Sequence, residues 1–132
     1  MNSEKQILAY RMEGARLNAL RGLCERENIR LTAVAPAQEG APLALLAGQM
    51  APAEMAYSAA SLSSASASLP PVSEEMLVLS GFDSPALDRL LRQLREEDLG
   101  VSLKAVLTGV NRTWSGKMLC GELKRERRAH GA

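Results

Sequence analysis

Aromatic side chains make up only 3% of this chain, and it has a single histidine. So few rings provide no platform for stacked bases, which weighs against single-strand nucleic-acid binding of the stacking kind. The histidine, His130, lies three residues from the end of a fraying tail, so a histidine-based nucleophile system or general base would have no fixed position. Cysteine is nearly as scarce. Cys24 and Cys120 stand far apart inside helical patterns and match no metal or redox spacing, which predicts two reduced thiols, no metal site and no cofactor. The acidic triplet Glu96-Glu97-Asp98 reads as the solvated end of a helix rather than a cation site. Neither a dinucleotide glycine fingerprint nor a Walker-type phosphate loop occurs.

Charge of one sign is missing too. Sixteen basic against fifteen acidic side chains give +1, so any electrostatic argument must be local. Long apolar runs are also absent: Leu43 to Ala47 and Met76 to Leu79 are far too short to span a bilayer, and the start MNSEKQ lacks the pattern of a signal peptide. A soluble cytoplasmic protein with no membrane partner is the expectation.

What remains is an ordinary globular composition, 46% apolar in 132 residues, enough for one compact unit with an aliphatic core. Ile7 to Tyr10 suits a first strand. From Gly14, Leu17, Leu20, Leu23 and Cys24 recur at helical spacing, and Asn28 is placed to end that helix in the left-handed conformation. Ile29, Leu31, Ala33 and Val34 make a second strand, stopped by Pro36. Gly40 to Gly48 reads as a helical turn or short packing segment.

Residues 49–75 are rich in Ala, Ser and Pro, which predicts a flexible linker because small side chains bury too little area to offset backbone ordering. A frayed helix is the alternative, since Met55, Leu62 and Leu69 recur every seven residues. Met76 to Leu79 opens a third strand. Asp83-Ser84-Pro85 starts a helix, with Ser84 as cap, that buries Leu87, Leu90, Leu91 and Leu94, pairs Asp88 with Arg92 and Arg92 with Glu96, and is closed by Gly100. Leu103 to Thr108 reads as a strand apolar on both faces and so inside a sheet covered by helices. Ser115 as N-cap places Trp114 and Leu119 at staple spacing for a last helix, Gly116 to Arg128.

The halves resemble each other. Ile7 to Tyr10 corresponds to Met76 to Leu79, and Ile29 to Val34 corresponds to Val101 to Val106, at an offset drifting from sixty-nine to seventy-two. Two βαβ-like units, residues 1–48 and 76–132, are expected to form one four-stranded sheet with helices packed on it and a C-terminal helix. The class is α/β, or an α+β two-layer sandwich, with a ferredoxin-like strand order open.

The stretch MLVLSGFDSPALDRLLRQLR, followed by LKAVLTGVNRTW and a helix with GELKRE, resembles the uncharacterised bacterial domain-of-unknown-function family numbered 3783. There a strand ending in Gly-Phe, a leucine-rich helix, an LKAVLT-like strand and an Asn-x-x-Trp turn follow in that order. The resemblance covers Met76 to Arg128, and Leu46 to Gly48 is similar to a feature that often precedes the domain. Gly109-Val110 departs from the Thr-Pro-Thr-like turn expected. The family carries no known activity, so the resemblance implies fold alone.

Three surfaces are candidates for function. Thr108, Asn111, Arg112 and Trp114 gather polar and aromatic groups where the last strand ends, which predicts a non-enzymatic module binding a protein partner or itself. Lys124, Arg125, Arg127 and Arg128 give the last helix a net positive charge, which predicts RNA or DNA binding as the alternative. A small anion held between Ser80-Gly81 and Thr108-Asn111 is a third reading, and it requires the two preceding strands to be parallel neighbours.

Overall fold

The computed structural model describes residues 4–50 and 69–130. Gln6–Tyr10 forms β1, Gly14–Arg26 α1, Arg30–Val34 β2 and Leu43–Leu46 α2, with a 3-10 turn at Pro36–Gln38. The second half supplies β3 at Met76–Ser80, α3 at Ser84–Glu96, β4 at Leu103–Val106 and α4 at Gly116–His130. The linker expected over 49–75 falls mostly outside the described residues.

The strands form one sheet in the order β2-β1-β3-β4, parallel within each half and antiparallel where β1 meets β3. The α/β expectation holds. A ferredoxin-like order does not, because each crossover returns to the adjacent strand instead of skipping one. Every residue of β1 is buried, as are the first four of β3, so the centre of the sheet needs cover on both sides. On one side α1 and α3 bury Leu20, Leu23, Leu90 and Leu94 against Ile7, Ala9, Leu77 and Leu79. On the other, α2 and α4 bury Leu43, Leu119 and Cys120 against Leu8, Met76 and Val78. The result is three layers rather than two. Each fully buried leucine contributes on the order of 2 kcal/mol before the entropy of ordering is subtracted.

The duplication is closer than sequence alignment alone suggested. β1 and α1 recur as β3 and α3 at a constant separation of 70 residues, as do the left-handed residues Arg11 with Gly81 and Asn28 with Asp98. Beyond the helices the separation becomes 73: Gln6 pairs with Arg30, whereas its counterpart Met76 pairs with Leu103. The loops after β2 and β4 then meet as mates across a pseudo-twofold axis. The Ala44 N–H donates to the Arg112 carbonyl and the Lys117 N–H to the Glu39 carbonyl, at 2.8 and 3.1 Å, with a bridge between Pro42 and Ser115.

Several local expectations change. β4 is an edge strand and not an inner one, because Lys104 keeps one of its faces wet. Asp83, not Ser84, caps α3, its carboxylate accepting the Ala86 N–H at 2.9 Å. Asp98 in the left-handed region ends α3, a role expected of Gly100. Arg92 forms no ion pair with Asp88 or Glu96; α1 and α3 are instead tied together by Arg26–Glu97 at 2.5 Å and Arg89–Glu27 at 3.1 Å. Ser115 does cap the last helix, accepting the Met118 N–H at 3.2 Å, and Trp114 and Leu119 share one cluster as a staple requires.

Candidate functional site

The site begins where β4 runs out. The Leu107 N–H donates to the Leu79 carbonyl at 2.9 Å, so by the alternation of a parallel ladder the peptide groups of Lys104, Val106 and Thr108 face away from the sheet. An edge of this kind invites pairing with another chain. Here Asn111 intervenes. Its Oδ1 accepts the Thr108 N–H at 2.8 Å and its Nδ2 donates to the Val106 carbonyl at 3.0 Å. Those are the two bonds that a residue of a fifth, parallel strand would make, so the side-chain amide stands in for a neighbouring peptide group.

The Asn111 backbone N–H also donates to Thr108 Oγ1 at 3.2 Å, and the residue is only 8% exposed. The first unit repeats one of the two side-chain bonds: Gln38, 73 residues earlier, accepts the Ala35 N–H at 3.0 Å at the end of β2.

This bracing leaves Thr108, Gly109 and Val110 as an exposed tip, with Val110 74% exposed, the most of any large apolar side chain among the described residues. Arg112 is half-buried and donates through Nη2 to the Gln49 carbonyl at 2.7 Å. Gln49 Nε2 in turn donates to Ser80 Oγ at 3.0 Å. Because β3 and β4 are parallel neighbours, Ser80-Gly81 and Thr108-Arg112 do emerge at the same end of the sheet, and Gln49 bridges them. Gly81 has φ +84° and lies so close to the Glu4 carbonyl that an added Cβ would sit 2.2 Å from its oxygen, so the turn after β3 is held by backbone contact.

Trp114 is the one member of the group on the underside of the loop. It is half-buried in the lower core, and its carbonyl accepts the Leu43 N–H at 2.8 Å.

The basic residues of α4 lie apart from this end, and three of them have partners within the fold. Arg127 is bidentate on Glu74 at 2.9 and 2.7 Å and holds its carboxyl below the usual range, chiefly by this hydrogen bond. Lys124 donates to Ser73 Oγ and Arg125 pairs with Glu122. Arg128 is exposed.

Sequence reasoning missed a second polar centre at the opposite end of the sheet. Glu39 is only 1% exposed; Oε1 accepts Arg11 Nη2 at 3.2 Å and the Val72 N–H at 3.0 Å, and Arg11 Nε stands 2.7 Å from Oε2. Tyr10 Oη lies buried without a hydrogen-bond partner among the described residues, and burial first, then the charge of Glu39, raises its pKa above the ordinary value. One clue was available: Arg11 takes the left-handed place that glycine fills in the other unit, and Glu39 is the counterpart of Arg112.

Among the described residues no group of three or more His, Cys, Asp or Glu could hold a metal ion, and no helix is long and apolar enough to cross a membrane. Fold and site together define a duplicated α/β protein whose second unit closes its sheet edge with a side-chain amide. Its second unit, residues 75–129, matches the family described as domain of unknown function (DUF3783). No curated protein and no solved structure matches the chain significantly.

Proposed function

We propose that the protein is a non-enzymatic, cytoplasmic bacterial module that binds a protein partner, or a second copy of itself, through the loop Thr108 to Arg112. The observation that carries this reading is the rigid display of Val110. A buried asparagine holds the loop through two side-chain hydrogen bonds and one from its backbone N–H, yet the side chain the loop presents is 74% exposed and apolar. None of the described residues covers it, and a pre-ordered apolar contact lowers the entropy cost of association. Val106, also exposed, is the last residue of β4 before this loop. Trp114 supports the loop from below rather than meeting the partner.

Affinity capture from the source cell with the wild-type protein and with Val110→Asp tests the reading. A partner set retained by the wild type and depleted at least tenfold by the variant is expected; identical sets would reject the loop as the contact.

Two other readings have less support. Nucleic-acid binding through Lys124, Arg125, Arg127 and Arg128 would require three of those four to give up internal partners. An anion between Ser80-Gly81 and Thr108-Asn111 would meet donors already engaged, with the Asp83 carboxylate at the nearby start of α3.

A further inference from the structure

The outer face of α4 bears a feature the fold does not need. Gly121 sits in the interior of a fifteen-residue helix, where glycine is disfavoured relative to alanine, and a Cβ there would meet nothing within 4 Å. Neither close packing nor a positive φ accounts for it. Beside it, α4 and the segment Leu69 to Pro71 enclose a mostly apolar groove of about 410 Å³ that reaches Met118, one of the exposed large apolar residues. Arg125 on the rim pairs with Glu122, which leaves two cations there without a hydrogen-bonded carboxylate: Lys124 donates to Ser73 Oγ and acts on Glu74 only through its charge, and the Lys117 ammonium has no partner among the described residues. They are seven residues apart, on one helix face and about 10 Å along its axis.

We infer that this groove is a docking site for an acidic amphipathic helix of a partner protein. The bare backbone at Gly121 lets a second helix approach closely, as grooves that receive a helix require. Met118 and the Leu69–Pro71 wall take its apolar side chains. Carboxylates two turns apart on the incoming helix meet Lys117 and Lys124. The surface is separate from the Val110 loop, so either can fail without the other.

The test uses a fluorescein-labelled peptide of about sixteen residues, alanine-rich, with glutamates seven apart and leucines between them. It should bind the full chain and weaken as salt is raised. Gly121→Leu should lower its affinity at least tenfold while the thermal midpoint stays level or rises, because the substitution improves the free helix. Lys117→Glu combined with Lys124→Glu should remove binding.

No binding at millimolar peptide overturns the proposal, as does an affinity indifferent to Gly121→Leu. So does equal binding of a version broken by a central proline, which would mark an extended occupant. Tighter binding of laurate or an oligouridylate would replace the helix with a lipid or a nucleic acid and overturn it too.

Discussion

Asn111→Ala is expected to lower stability by about 2–4 kcal/mol, from two lost side-chain hydrogen bonds, both of which leave backbone groups of the strand end without partners. For a domain of this size that is a fall in thermal midpoint of roughly 10 °C. The second consequence is more specific. With the Val106 carbonyl and the Thr108 N–H released, β4 becomes an open edge, and the variant should form concentration-dependent oligomers by strand pairing. Asn111→Asp separates the parts: it keeps the acceptor for Thr108 but turns a carboxylate toward the Val106 carbonyl, so it should be destabilised as well. Thermal denaturation with light scattering across a concentration series measures both effects. A monomeric, fully stable Asn111→Ala protein would contradict the role assigned to the amide.

Glu39→Ala is expected to cost about 2–4 kcal/mol, because a buried carboxylate disappears while the buried Val72 N–H loses its acceptor. The cost stays below that of a fully buried pair, since Arg11 is one-third exposed and can turn to water. Glu39→Gln keeps an acceptor for Val72 and should cost about half as much. Removing the charge also takes away one of the two causes that raise Tyr10. Its phenol should therefore titrate at lower pH in Glu39→Gln than in the wild type, though still above the ordinary value because burial is the larger cause. Absorbance at 295 nm against pH gives the shift, and an unmoved curve would deny the coupling between Tyr10 and Glu39.

The elements were legible because the aliphatic periodicity is strong: both βαβ units, the left-handed Asn28 and the Ser115 cap stand where the residue types place them. The layer count was less legible. Ile7 to Tyr10 and Met76 to Leu79 are apolar without alternation, a pattern of strands covered on both faces, whereas the more alternating β4 lies at the edge. Apolar identity aligns Tyr10 with Leu79, but its place in the second unit is taken by the polar Ser80.

At the site, Asn111 stood out by type while its task did not. An amide that mimics a neighbouring strand shows only once Val106 and Thr108 are known to face outward. Glu39 was invisible for the same reason, because its burial depends on Arg11 and Val72 from distant parts of the chain.

Photo-crosslinking tests most directly whether the loop tip is a contact surface. A benzoylphenylalanine at position 110, activated in cells, should give discrete protein adducts that are absent when the same group is placed at the exposed Arg21 on the far face of α1. Equal, diffuse labelling from both positions would contradict it.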